Sequence, residues 1–100
     1  MSLETIEQDV RGNLMRFAGL GYRVKFMFDD GTIFLLDGTV TPPTLDTEDG
    51  EADCTLRLSA ENMEKLMAGT LNPTLAYTLG KLKVDGSIGV ALKLASMMEE

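Results

Sequence analysis

The spacing of apolar residues over the first twenty positions predicts an amphipathic helix. Apolar residues recur at steps of three and four, which places them on one helix face: Leu3, Ile6, Val10, Leu14 and Phe17. Glu7 and Arg11 have a favourable spacing for an ion pair on a helix. We expect the helix to span residues 2 to about 20 and to end at Gly19 and Gly21.

Three later segments alternate between apolar and polar residues, as strands with one buried face do. They are residues 22–28, 32–36 and 53–58. Asp30-Gly31 separates the first two and predicts a hairpin turn. The second segment is apolar on both faces, which favours a central place in the sheet. Further strands are expected at 39–41, before Pro42, and at 81–85.

Capping residues delimit two short helices in the second half of the chain. Ser59 is a favourable N-cap for a helix over 60–68, and Gly69 suits the C-terminal end of that helix. Asn72 is a favourable N-cap for the next helix, which Pro73 begins. The cap signals therefore predict two helices separated by a short connection.

The last predicted helix is apolar on nearly every side. Between residues 88 and 98 only Gly89, Lys93 and Ser96 are not apolar. A helix of this kind is either buried in the core or covers something apolar that is not protein. Methionine, which adapts to varied shapes, occurs in or beside several of the apolar faces. Ordinary core packing and a lining for an apolar ligand both fit this segment.

Composition and charge fit one small globular domain, residues 1–100. Apolar residues make up 44% and charged residues 25% of the chain. The net charge of −7 argues against nucleic-acid partners, because phosphates attract cationic surfaces. We expect no membrane-spanning helix and no secretory signal, since no long apolar run and no basic leader occur. With Cys54 as the single cysteine, this pattern favours the reducing cytoplasm.

The inventory of reactive residues favours binding over catalysis. The chain has no histidine, which excludes histidine-based triads and zinc sites that use histidine. Residues 46–53 are rich in acids, but their ligand and glycine positions do not match an EF-hand loop. We therefore expect no metal and no cofactor. Cys54, on the apolar face of its strand, is expected to be a buried side chain rather than a nucleophile.

Three spaced segments and a closing helix form a recognisable pattern. They are Ala52-Asp53-Cys54-Thr55, Leu66-Met67-Ala68-Gly69-Thr70-Leu71-Asn72-Pro73, and Gly80-Lys81-Leu82-Lys83-Val84-Asp85-Gly86, followed by Gly89, Ala91, Lys93 and Leu94. This pattern resembles the sterol carrier protein type 2 family, and the order of predicted elements matches it over nearly the whole chain. Leu79 departs from the Gln that the family often has there. The closing Met98-Glu99-Glu100 departs from the peroxisomal tripeptide of many eukaryotic members.

The resemblance implies an α+β fold, in which a sheet of about five strands is covered on one face by helices and encloses an apolar tunnel. It also implies a non-catalytic role: binding and transfer of fatty acids, fatty acyl-CoA, phospholipids or sterol-like molecules. Positions expected to face inward supply the candidate lipid-binding residues, and plain core packing remains the alternative for each. These residues are Phe26, Phe34, Leu36, Met67, Leu71, Leu75, Leu79, Ile88 and Leu92.

Two other functions and the oligomeric state stay open from sequence. An accessory module for an enzyme that handles lipids or acyl-CoA would show an exposed apolar patch around Met97 and Met98. A small isomerase would need a carboxylate base and a tyrosine donor in an apolar pocket. The residues available for that chemistry are Tyr22, Tyr77, Asp37 and Asp53.

Charge is distributed unevenly along the chain. Seven acidic residues and one arginine lie between 46 and 64, whereas Lys81, Lys83 and Lys93 lie close to the most apolar segment. These lysines either guard a strand edge or orient the tunnel mouth towards an anionic membrane during transient contact. In the second interpretation, residues 88–98 act as a mobile cover of the tunnel.

Overall fold

The computed structural model describes residues 3–98, whose strands form one sheet with helices packed on one face. The strands are β1 (Arg23–Phe28), β2 (Ile33–Asp37), β3 (Thr44–Asp46), β4 (Cys54–Leu58) and β5 (Lys83–Gly86). The α-helices are α1 (Leu3–Gly12), α2 (Ala60–Ala68), α3 (Pro73–Thr78) and α4 (Ile88–Met98), and a short 3₁₀ helix, Leu14–Phe17, follows α1. The α+β fold predicted from the sequence is confirmed.

The sheet is mixed and has the order β3-β2-β1-β4-β5. β1 and β4 are parallel neighbours, and every other pair is antiparallel. β1 is therefore the central strand. β2, which was predicted to be central, is an interior strand with a neighbour on each side, one place from the middle. Its second apolar face is covered by a loop rather than by helices.

That loop is the acidic segment after β3, which folds back over the open face of the sheet. The Lys25 Nζ lies 2.5 Å from Asp49 Oδ1, and this bond lowers the pKa of Asp49. A Cβ at Gly50 would lie 2.9 Å from Leu35 Cδ2, so the loop also packs on the apolar residues of β2. Among the described residues, no three Cys, Asp or Glu side chains are grouped closely enough to hold a metal ion.

The opposite face of the sheet forms the core with the helices. Its buried side chains alternate along each strand, as predicted: Val24, Phe26 and Phe28 on β1, Phe34 and Leu36 on β2, and Cys54, Leu56 and Leu58 on β4. The helices contribute Ile6, Val10, Met63, Leu66, Val90 and Leu94. Burial of each large apolar side chain contributes about 1.5–3 kcal/mol, and this contact fixes the helices on the sheet.

Local capping explains why the later helix boundaries agree with the sequence. The Ser59 Oγ accepts a hydrogen bond from the Asn62 amide, and Gly69 ends α2 with a φ of 79°. α3 begins at Pro73 behind its Asn72 cap. α4 spans residues 88–98, as expected. Within residues 3–98, no helix is long and apolar enough to cross a membrane.

Three predicted boundaries are wrong. The first helix ends at Gly12, where the Asn13 side chain donates a hydrogen bond to the Asp9 carbonyl and a 3₁₀ turn follows. No strand forms at 39–41, because the Thr39 amide and hydroxyl both donate to the Asp37 carboxylate in a turn. The strand expected over 81–85 begins at Lys83, since the preceding amides bond back to α3.

A glycine at the end of β5 gives a test of this architecture. Gly86 has a φ of 92°, and a Cβ there would lie 2.8 Å from the Asp53 carbonyl oxygen. We expect Gly86→Ala to lower the free energy of unfolding by at least about 2 kcal/mol, since left-handed strain and a backbone clash add. Gly80→Ala is the matched control, with a φ of 77° and open space around its Cβ position. If urea denaturation shows that both variants lose the same free energy of unfolding, the clash at Gly86 is contradicted.

Candidate functional site

An apolar groove lies between α3 and α4, over the inner face of β5. Its lining residues are Pro73, Thr74, Tyr77, Leu82, Val84, Ile88, Ala91, Leu92 and Ala95. Only Thr74 and Tyr77 carry a side-chain polar atom, so the walls offer hydrocarbon almost throughout. The free volume is about 60 Å³, whereas ligand pockets commonly have about 300–1,000 Å³. A long hydrocarbon therefore enters only if α3 and α4 separate.

A second, larger cavity of about 320 Å³ lies beside the groove. It is lined by Arg16, Leu66, Met67, Ala68, Gly69, Leu71, Asn72, Pro73 and Met98. Pro73 lines both spaces, so they lie next to one another at the start of α3. Arg16 is half-buried and makes no ion pair with any residue between 3 and 98. The larger cavity thus has mixed polar and apolar walls, which include one available guanidinium group.

Local sequence determines how the walls of the groove are placed. The Asn72 Oδ1 accepts hydrogen bonds from the Thr74 and Leu75 amides at 2.8 and 3.1 Å, which starts α3. After Gly80 the chain reverses, and the amides of residues 81 and 82 donate to the Ala76 carbonyl. This turn places β5 alongside α3. The Ser87 Oγ then accepts a hydrogen bond from the Val90 amide and begins α4.

Four of the predicted lipid-binding residues line one of the two spaces. Ile88 and Leu92 form part of the groove, although each is also half-exposed at its rim. Met67 and Leu71 line the larger cavity. The structure therefore places these four side chains on two neighbouring surfaces, with Pro73 common to both.

The other five predicted residues lie elsewhere. Phe26, Phe34 and Leu36 are fully buried between sheet and helices, away from both spaces. Leu75 and Leu79 were expected to face inward, and this is wrong: they are 51% and 58% exposed. The six-residue α3 buries its opposite side, through Pro73 and Ala76, so residues at 75 and 79 point to solvent.

Several groove residues were not among the predicted lipid-binding residues. The small side chains of Ala91 and Ala95 leave room for the groove between α3 and α4. Their spacing of four on an apolar helix was an available signal. Tyr77 was considered only as a possible proton donor. Arg16 of the larger cavity gave no signal, because a lone arginine on a short helix is usually solvated.

The arrangement required for an isomerase is not present in residues 3–98. Asp37 and Asp53 lie at the strand ends and line neither space described above. The Thr39 hydroxyl donates a hydrogen bond to Asp37, and this bond, with the Arg23 guanidinium, lowers the pKa of that carboxyl. Tyr22, one of the two tyrosines available for that chemistry, is 41% exposed. Its ring lies 5.4 Å from the Lys93 Nζ.

The exposed apolar patch that an accessory module would show around Met97 and Met98 is not found at the end of α4. Met98 is buried and Met97 packs partly against the core.

The lysines lie away from the groove, whose lining includes none of them. Lys83 pairs in register with Arg57 of β4, on the sheet face away from the helices. This position on the outermost strand fits the edge-guard interpretation.

The Cys54 thiol gives a measurable signature of the buried strand β4. Burial, with a smaller contribution from the Asp53 carboxylate, raises the pKa of Cys54 to about 11. Near pH 8 only about one thiol in a thousand is then ionised. We expect iodoacetamide to label the folded protein very slowly and the urea-unfolded protein at the rate of a free thiol. Rapid labelling of the folded chain, followed by mass spectrometry, would contradict this burial.

Known proteins share this fold and parts of this sequence. Sterol carrier protein 2 of Bos taurus is 40% identical over 60 residues, which are 60% of this chain. The chain spans about a tenth of the length of that relative. The sterol carrier protein domain 2 of Helicoverpa armigera is 25% identical, with a TM-score of 0.69 over 95% of this chain and 77% of that one.

A closer structural match is the palmitated SCP2L2 of Aedes aegypti. Its solution structure has a TM-score of 0.77 and covers 100% of this chain and 96% of that one, at 21% sequence identity. At this identity the likeness shows a shared fold. The model of the SCP-2 sterol transfer family matches residues 3–99, and the chain therefore belongs to that family.

Proposed function

We propose that this chain binds lipids and transfers them between membranes without catalysing a reaction. The observation that carries the proposal is the apolar groove between α3 and α4 in a member of the SCP-2 family. A hydrocarbon chain requires no hydrogen-bond partner, and each buried CH₂ contributes about 0.8 kcal/mol to binding. The groove supplies hydrocarbon walls and few polar atoms, which is the chemistry such a ligand needs.

An acyl chain is the ligand that the proposal favours. The palmitated relative from Aedes aegypti has the same fold and supports this choice. The free volume of the groove requires α3 and α4 to separate as the chain enters. In this proposal the separation extends the groove across the sheet into a tunnel, and Phe26, Phe34 and Leu36 then form its floor.

We place the polar end of the lipid near Pro73, which lines both spaces. With the acyl chain in the groove, an anionic group enters the larger cavity and accepts hydrogen bonds from the Arg16 guanidinium. Carboxylates and phosphates have the geometry for this contact. The proposal therefore favours fatty acids, fatty acyl-CoA and phospholipids over neutral sterol-like molecules.

The absence of catalysis is part of the proposal. No charged or polar residue among those described is fully buried, and no carboxylate lines the groove. An acid or base in a water-excluded site is what the isomerase alternative requires. We place the protein in the cytoplasm, on the basis of its buried and unpaired Cys54 thiol.

Filling the groove tests the binding site. Ala95 lines it, and Ser96 is the adjacent exposed residue of α4. We expect Ala95→Trp to weaken palmitate binding by at least about tenfold, because the indole occupies the space of several methylenes. Ser96→Trp is the control and should leave the affinity unchanged. Calorimetric titration measures both, and equal affinities in two folded variants would remove the groove from the site.

Neutralising Arg16 tests the place of the polar end. We expect Arg16→Gln to weaken palmitate binding by about 10- to 100-fold, the loss expected for a charge-assisted hydrogen bond. Methyl palmitate, which has no carboxylate, should bind both proteins equally. If both ligands lose affinity to the same extent, Arg16 maintains the fold of the cavity rather than binding the polar end of the lipid.

A further inference from the structure

A polar cavity of about 420 Å³ lies beside the end of β4 and the start of β5. Three cationic side chains, one carboxylate and two neutral polar side chains line it: Arg57, Lys81, Lys83, Asp29, Ser59 and Asn62. The charged groups of this lining leave a local charge of +2, whereas the whole chain carries −7. We call this cavity the cationic recess, because its charge is opposite to that of the molecule around it.

Two lysines of the cationic recess have no carboxylate partner. Lys81 and Lys83 form no ion pair with any residue between 3 and 98. The chain has 16 acidic and 9 basic residues, and five of the basic side chains do pair with a carboxylate. With acids in such excess, the charge balance of the chain does not explain two unpaired lysines on one cavity wall. They are available to an anion from outside the chain.

The register of the sheet places a third cation beside them. Arg57 of β4 lies directly opposite Lys83 of β5 in an antiparallel pair. Like charges in this position destabilise a sheet. The Arg57 Nε is 2.7 Å from the Asp85 Oδ2, but a guanidinium has five N–H donors, so Arg57 can still donate to a second anion. The fold therefore keeps two cations side by side at a cost in stability that a bound anion would offset.

Backbone hydrogen bonds hold the lysines on this wall. The Lys81 amide donates to the Ala76 carbonyl at 2.9 Å, and the Lys81 carbonyl accepts from the Asn62 side chain at 3.4 Å. Leu82, between the two lysines, is buried and lines the apolar groove. No cation of the recess lines that groove. The recess is thus a separate space, and what it binds does not depend on the proposed function.

We propose that the cationic recess binds a phosphate monoester. Such a group carries a charge of about −1.5 to −2 at neutral pH and has three acceptor oxygens, which matches the charge of the lining and its three cations. The Arg57 guanidinium fits two phosphate oxygens, and the ammonium groups of Lys81 and Lys83 bind as point charges. A carboxylate ligand has one charge and two oxygens, and would leave part of this set unused.

The same chemistry occurs in soluble molecules and in lipid headgroups. Glycerol phosphate carries a phosphate monoester in solution, and phosphatidic acid carries one at a membrane surface. These two compounds are the probes. Calorimetric titrations with glycerol phosphate are made at fixed ionic strength, because salt screens exposed charges.

We expect saturable binding of glycerol phosphate to the wild type. Lys81→Gln with Lys83→Gln should weaken it by at least about tenfold, because two of the three cations are lost. Arg11→Gln with Lys93→Gln is the matched control: it removes the same charge at exposed positions outside the recess and should bind as the wild type does. Asp29→Asn should strengthen binding by about two- to fivefold, the range for removing one exposed like charge.

Urea denaturation without phosphate distinguishes a binding role from a structural one. We expect Lys83→Gln to unfold at the same urea concentration as the wild type or at a higher one, because the like charge opposite Arg57 is gone. A lower midpoint would show that Lys83 stabilises the fold, and would overturn the argument from the register.

The remaining outcomes also decide the proposal. If only vesicles containing phosphatidic acid bind, and the Lys81/Lys83 variant alone loses them, the recess is supported and its phosphate belongs to a lipid headgroup. Equal losses in the two double variants would show an effect of net charge and overturn the site. An absence of wild-type binding to both probes at millimolar phosphate, or an unchanged affinity in Asp29→Asn, would overturn it as well.

Discussion

The position of the groove depends on one close approach, between the backbone of Gly86 and that of Asp53. Asp53 joins three parts of the molecule: its amide donates to the Arg23 carbonyl, its carboxylate accepts from the Arg23 amide, and its carbonyl accepts from the Ser87 amide. β5 reaches this point only because Gly86 has no side chain. The start of α4 is thereby tied to the centre of the sheet, and α3 and β5 form the walls around it.

Short-range signals in the sequence were sufficient for most of the fold. The caps at Ser59 and Asn72 satisfy backbone amides within a few residues, so helix boundaries there follow from local chemistry. The alternation in β1 and β4 identified the buried faces correctly. The cover over the second apolar face of β2 did not follow, because it is a loop that folds over Leu35 from fifteen residues further along the chain. A contact of this kind produces no periodic pattern in the sequence.

The site was less predictable than the fold, and the reason is geometric. The composition of α4 identified Ile88 and Leu92, since few polar residues interrupt that helix. The orientation of α3 could not be inferred, because two leucines four residues apart indicate one face of a helix without indicating which face is buried. Arg16 is at least fifty residues along the chain from the other lining residues of its cavity, and core packing brings them together. Assembly from distant segments removes the local pattern that sequence analysis requires.

The two outer strands of the sheet have a consequence for how the molecule behaves at high concentration. β3 has three residues and β5 has four, so each sheet edge offers few free backbone groups to a neighbouring chain. Long exposed edges promote aggregation through intermolecular strand pairing, and short ones resist it. A protein that keeps apolar side chains on its helices in contact with water already carries one source of self-association. Short sheet edges do not add a second source of self-association. Exposed apolar side chains on the helices can therefore coexist with colloidal stability.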